Sequence, residues 1–233
     1  MKMTHNFGGT MASSATGTAA AAGIADLLSV LLDADGSARH AFVTGHLRAA
    51  GVESGRSLAD AVHHLSALHG RHPGISDLLL EREHHPAIRE WIEAAAHAFR
   101  RERNYLTRVV VAAGPMPSTP GQAQSEAAVL GQRHAIEMLA RSDRIGCALG
   151  AAMAKALDWR SLRAVIDAAA QRYGVEPPTL LVPSLAETLR AATDAATSPS
   201  VERAIAFGAQ QMLVQHRGLW DLLEAREIAR RGS

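Results

Sequence analysis

The chain is poor in most of the features that announce a function. It has one cysteine, Cys147, in 233 residues, which excludes an internal disulfide framework and any cysteine-cluster metal site. Aromatic residues make up only 4%, and 24 Lys+Arg against 23 Asp+Glu leave a net charge of +1. With neither a basic surplus nor interleaved aromatics, DNA, RNA and an anionic membrane surface are poor candidates as partners. The longest apolar stretch, Ile145 to Leu157, contains Lys155 and falls short of the roughly 20 residues a membrane-spanning helix needs. There is no His-Glu-x-x-His, no Walker loop, no Gly-x-Gly-x-x-Gly and no Gly-x-Ser-x-Gly.

The first 23 residues are small-residue low complexity, with Gly8-Gly9, Ser13-Ser14-Ala15-Thr16-Gly17-Thr18 and the Ala19–Ala22 run. A secretory signal needs a basic n-region and an uninterrupted apolar core. Here a lone Lys2 precedes a polar stretch, and Asp26 interrupts the first apolar run. A disordered leader over 1–23 and a single domain over 24–233 are expected, in a cytoplasmic protein.

What is abundant is alanine, leucine, arginine and glutamate, and the helical period wins almost everywhere. Helices are expected at Ile24–Asp33, Ser57–Gly70, Ser76–His84, Pro86–Ala113, Gln122–Trp159, Ser161–Tyr173, Ser184–Ala196 and Pro199–Arg231. Ser57 and Ser76 suit N-caps, Pro86 and Pro199 suit first helical positions, and Gly70 and Gly174 suit C-caps. The stretch Gly114-Pro-Met-Pro-Ser-Thr-Pro-Gly121 cannot be helical and reads as a stiff connector. Its prolines remove the amide donors a phosphate cradle would use. Glu176 to Pro183 is a second connector. Val109-Val110-Val111 finds no partner strand and reads as a helix end. The fold class is all-α, a multi-helix bundle around two or three long helices.

A count of 100° per residue separates solvated charges from inward ones. In the Pro86 helix, Ile88, Ile92, Ala95, Phe99, Leu106 and Val110 form one stripe, with Glu90, Glu93, His97 and Arg101 opposite. Arg103 lies on the apolar stripe. In the Gln122 helix the core line is Val129, Ile136, Ala140, Cys147 and Ala154, and Asp143 falls near it. Gly146 and Gly150 allow close helix approach or mark a kink. In the last helix His216 lies within about 20° of the Ile205, Met212, Leu219 and Leu223 line. The face of Leu58, Val62 and Leu65 continues to His69. Four helices thus each place a polar residue, His69, Arg103, Asp143 or His216, on an apolar face.

Two interpretations follow. In one, Arg103 and Asp143 form a buried ion pair that fixes helix register, and the histidines bond backbone carbonyls. In the other, the four converge on a ligand-binding pocket where Arg103 anchors an anionic or carbonyl group and His69 or His216 handles a proton.

Seven of the twelve histidines fall between His63 and His97. A carboxylate-bridged di-iron bundle, however, needs two Glu-x-x-His motifs and two further glutamates. The chain has one, Glu81-x-x-His84, beside the Pro86 break, and a reversed His134-x-x-Glu137 on a polar stripe. No metal ligands are assigned. Cys147 on the core line behaves as a small hydrophobe.

Gly114 to Gly121, Gln132-Arg133-His134, Ser142-Asp143-Arg144-Ile-Gly-Cys147-Ala-Leu-Gly and Asp158-Trp159 together resemble a family of uncharacterised bacterial helical proteins over about residues 60 to 230. The bundle also looks like ferritin-like or haem-oxygenase-like architectures. That resemblance implies metal oxidases and small-molecule enzymes among its relatives, and the missing metal motif means no catalytic residue carries over. The expected function is a non-enzymatic bundle, a homodimer or other homo-oligomer, that binds a partner or a small apolar ligand. The alternative is a small-molecule or metal-dependent enzyme with a polar pocket inside the bundle.

Overall fold

The computed structural model describes residues 23–46, 51–83 and 86–232, and these are all-helical. In chain order the helices are α1 (Ile24–Asp35), α2 (Ala41–His46), α3 (Val52–His69), α4 (Ile75–Arg82), α5 (Pro86–Ala113), α6 (Gln122–Ala140), α7 (Cys147–Tyr173), α8 (Leu185–Ala195) and α9 (Pro199–Arg231). A single 3-10 turn, Ser37–Arg39, joins α1 to α2. The sequence expectations for residues 1–22 and for His84 and His85 lie outside the described residues.

Helix α7 is the axis of the bundle. Every residue from Cys147 to Trp159 is buried, and α9, α3, α5 and α6 pack around it. Glycine makes the closest of these contacts possible. A Cβ at Gly150 would lie 1.9 Å from the Ile205 carbonyl oxygen, and one at Gly208 would lie 2.0 Å from that of Cys147. The α7 and α9 backbones therefore touch, and no larger residue fits at either position. Close approach, rather than a kink, is what Gly150 supplies.

The expected Gln122–Trp159 helix is in fact two. Helix α6 stops at Ala140, and α7 starts at Cys147 and runs without a break through Trp159 to Tyr173. Gly146, with φ of +93°, turns the chain where an L-residue would be strained, and residues 143–145 are exposed. Nothing at Arg160 or Ser161 interrupts helical geometry, so the anticipated second start is absent. Helix α3 begins at Val52, which leaves Ser57 buried in its interior instead of capping it. The short helix α2 was not expected at all. Helix α4 starts after Gly74 rather than at Ser76; the Asp77 carboxylate caps it by accepting from the Gly74 N–H at 2.8 Å.

Other boundaries follow the sequence. Ser184 caps α8 by accepting from the Glu187 N–H at 3.2 Å, and the Glu187 carboxylate accepts from the Ser184 N–H at 2.7 Å. Pro199 is the first residue of α9, and Gly174 closes α7 with φ of +71°. Both proline-rich connectors are non-helical. Val109 is buried and Val111 exposed, as at the end of a core-facing helix. No helix of the described residues is long and apolar enough to cross a membrane.

Candidate functional site

Three of the inward polar residues are buried, and two of them meet. His69 is at the last turn of α3 and His216 at mid-α9, and their Nε2 atoms are 3.0 Å apart. The rings are nearly perpendicular, at 84°. His216 Nδ1 lies 2.7 Å from Asp158 Oδ2 on α7. Asp158 also accepts from the Ser37 N–H at 2.8 Å and from the Ser37 hydroxyl at 2.5 Å. The same hydroxyl accepts from the Trp220 indole N–H at 2.7 Å.

Those partners order the protons. Asp158 is an acceptor in every bond it makes, so His216 donates through Nδ1–H and offers its Nε2 lone pair. His69 then donates through Nε2–H, and its Nδ1 is left as the accepting end of the chain. Burial, the Lys155 ammonium and His216 together hold His69 well below the usual imidazole range, so it is neutral. No hydrogen bond to His69 Nδ1 is found among the described residues.

Lys155 lies one helical turn before Asp158 and is 3% exposed. Its Nζ sits 3.9 Å from the centroid of the Phe99 ring and 5.3 Å from that of the Trp159 ring. Among the described residues it has neither a hydrogen-bond acceptor nor a carboxylate partner. Burial first, and the Arg103 guanidinium second, lower it from 10.5 to about 7, although Asp77 and Glu102 pull the other way.

His69 and Lys155 both line a cavity of about 40 Å³ between α3, α4, α6 and α7. That is room for water or for a ligand of a few heavy atoms. Leu68, Ile75, Leu78 and Ile136 supply apolar walls, and Arg71, Arg133 and Glu137 the polar ones. Arg133 Nε approaches Glu137 at 3.4 Å yet is buried without a hydrogen bond. The cavity thus carries more positive than negative charge.

Arg103 is buried, but it is spoken for. Its Nη1 is 2.9 Å from Asp77 Oδ2, and its Nη2 is 3.3 Å from His72 Nδ1. The Gly74 N–H and Arg103 outweigh burial and hold the Asp77 carboxyl below its usual range. Asp143 does not face inward at all. It lies in the turn after α6, its side chain fully exposed, 3.2 Å from Arg82. The expected Arg103–Asp143 pair is therefore replaced by Arg103–Asp77 and Arg82–Asp143, because the helix that would have carried Asp143 into the core ends three residues earlier. The bonds to backbone carbonyls expected for the histidines are likewise replaced by the His69–His216–Asp158 chain.

Two residues of this site escaped the helical count. Asp158 stands two positions before the helix break that was expected after Trp159. Lys155 registered only as the charge that interrupts an apolar run. A composition signal was there: Lys2 and Lys155 are the only lysines in the chain. A protein that uses arginine elsewhere keeps its one other lysine in the interior, and lysine is the cation whose charge burial can remove.

The chain matches the model of a family of unknown function (DUF6975) over residues 32–231. It belongs to that family. Neither the curated proteins nor the solved structures contain a match to it. The DUF6975 match supports the resemblance to uncharacterised helical proteins, while the ferritin-like likeness has no such support.

Among the described residues of this DUF6975 chain, metal-donor side chains come together at few places. His69 and His216 alone are two ligands, and among the described residues no third histidine, cysteine or carboxylate joins them. The one grouping of three suitable donors among the described residues is His40, Asp221 and Glu224 at the surface. There His40 Nδ1 accepts from the Phe42 N–H at 3.1 Å, so the Nε2 facing Asp221 carries the proton and donates at 3.0 Å. The Glu93–His97–Arg101 face is exposed as expected, with Arg89 as the partner of Glu93 at 2.9 Å.

Proposed function

We propose that this protein is a small-molecule site of the enzyme type, which binds a compact carboxylate- or carbonyl-bearing compound in the α3–α4–α6–α7 cavity and moves a proton there. The observation that carries the proposal is Lys155, a buried cation that no carboxylate among the described residues pairs directly, on the wall of a cavity it shares with His69. An interior charge is costly unless something pairs with it. A ligand bearing a carboxylate or a polarised carbonyl meets that need.

His69 is the proton-handling group in this scheme. Its Nδ1 faces no protein partner among the described residues, and Asp158 acts through His216 to keep the proton on His69 Nε2. When the ligand releases a proton to His69, the chain His69–His216–Asp158 delocalises the positive charge toward the carboxylate. Arg71 and Arg133 favour an anionic group at the mouth of the cavity. Arg103 positions this wall through Asp77, which fixes the start of α4, and does not itself anchor the ligand. Asp143, exposed in the α6–α7 turn, has no part in it.

The test is a titration of the 15N-labelled protein with sodium glyoxylate and, separately, sodium acetate, followed through the His69 and His216 imidazole signals. Saturable shifts at His69 support the proposal. Signals that stay unmoved up to tens of millimolar of either compound overturn it.

The non-enzymatic expectation retains one supporting feature. A groove of about 610 Å³ runs between α5, α8 and residues 180–184, with Leu180 and Leu181 beside Glu90, Glu187, Arg190 and Asp194 on its walls. Its mixed polar lining suits a protein partner better than an apolar ligand. If a second copy docks there, sedimentation will show a wild-type dimer that Leu181→Asp dissociates.

A further inference from the structure

We propose that Lys155 is a nucleophilic amine that forms an imine with a small aldehyde or α-keto acid held in the cavity it shares with His69. This rests on the ligand site proposed above and names its chemistry.

Three observations point to a nucleophile and away from a simple anion clamp. The first is freedom from pairing. An amine held by a carboxylate is locked as ammonium and has no lone pair to give, and Lys155 has no carboxylate within ion-pair distance among the described residues. The second is its surroundings. The faces of Phe99 and Trp159 hold Nζ from one side, which leaves the cavity as the direction from which a ligand can reach it. Burial leaves a large fraction of the amine neutral near pH 7. The third is the choice of residue: every other buried cation among the described residues is an arginine engaged by an acid, Arg103 with Asp77, Arg163 with Glu102 and Arg226 with Asp60.

The Nζ lone pair attacks the carbonyl carbon, a C–N bond forms and the carbonyl π pair moves to oxygen. The nitrogen then carries two protons and a positive charge, and it passes one proton to that oxygen through neutral His69 Nδ1, which gives a neutral carbinolamine. The second N–H proton passes by the same route to the hydroxyl, which leaves as water as the C=N bond closes. Both hydrogens of the water come from the amine, so one amine and one carbonyl give one imine and one water, with no oxidant or reductant. A ligand of a few heavy atoms fits the volume, and Arg133 and Arg71 suit a carboxylate next to the carbonyl.

The experiment is reductive trapping on the full chain. The protein is incubated with sodium glyoxylate and sodium cyanoborohydride at pH 7, and intact mass and peptide mapping locate the carboxymethyl groups. Only Lys155, Lys2 and the amino terminus can react, and mapping separates them. The expected result is saturable labelling of Lys155, faster than that of Lys2 by on the order of a hundredfold, since a solvated lysine is almost wholly protonated at this pH. Labelling confined to Lys2 and the amino terminus overturns the imine. The same samples without reductant give the His69 titration. Saturable His69 shifts without a Lys155 adduct overturn the imine and leave the ligand site standing; absence of both overturns the two together. Wild-type protein suffices for every arm, so no outcome depends on whether a variant folds.

Discussion

Asp60 and Lys155 are both interior charges, and they differ in what faces them. Asp60, on α3, accepts from Arg226 Nε and Nη2 at 2.8 and 2.9 Å and from Arg230 Nη1 at 2.6 Å. Gln122 accepts from Arg226 as well, and Ser57 and Thr119 from Arg230. The cluster ties α3, α9, the start of α6 and the proline-rich connector into one joint. Lys155 has no comparable partner among the described residues and stands against two rings and a cavity. An interior charge held by opposite charges and hydrogen bonds helps fix a fold, whereas one without such direct partners is a standing cost. The contrast separates a scaffold from a site within one core.

The scaffold side breaks hardest. Asp60→Asn leaves Arg226 and Arg230 without their counter-charge and is expected to lose about 3–5 kcal/mol of stability in urea titrations. A loss below about 1 kcal/mol would mean that the cluster does not hold α3 to α9. Gly208→Ala forces a methyl into the Cys147 carbonyl. Overpacking of this kind costs about 1–3 kcal/mol, more than enough to outweigh the usual helical gain of alanine over glycine. A thermal melt that shows stabilisation would refute the α7–α9 backbone contact. At the other end of the scale, Asp143→Asn removes only an exposed pairing with Arg82 and should leave the urea midpoint where it is in wild type. It should also leave the glyoxylate response of His69 unchanged.

These effects track how far the core can be read from sequence. Helical periodicity places His69, Arg103 and His216 inside, and inside is where they are. It fails at Asp143 because alanine-rich flanks hide the α6–α7 turn, whose one strong marker is Gly146. That single missed turn moves Asp143 from the core line to solvent. A face count also says that a residue is inward without saying which inward residues meet. Arg103 and Asp77 come from helices whose relative placement only the packed structure gives, and Ser37 reaches Asp158 from a 3-10 turn with no helical signature. Lys155 was legible by composition, as one of two lysines, but not by periodicity, since α7 is buried on every side there.

A functional Lys155 is kept at a cost to the fold. Its amine titrates near 7 in the folded chain and near 10.5 when solvated, so between those values the unfolded chain binds the extra proton. The folded state is therefore penalised in full below pH 7, and the penalty fades as pH rises toward 10.5. The groups that act on it, Glu102 and Arg103 from α5, Asp77 from α4 and His69 from α3, with Arg133 and Glu137 of α6 lining the same cavity, are present in wild type and variant alike. The decisive measurement is the stability of Lys155→Met relative to wild type, by urea titration from pH 6 to pH 10. The expected result is a variant more stable than wild type at pH 6, with the advantage constant up to about pH 7 and shrinking from there toward pH 10. A variant less stable than wild type at pH 6 would contradict it, and would place Lys155 with Asp60 as part of the scaffold.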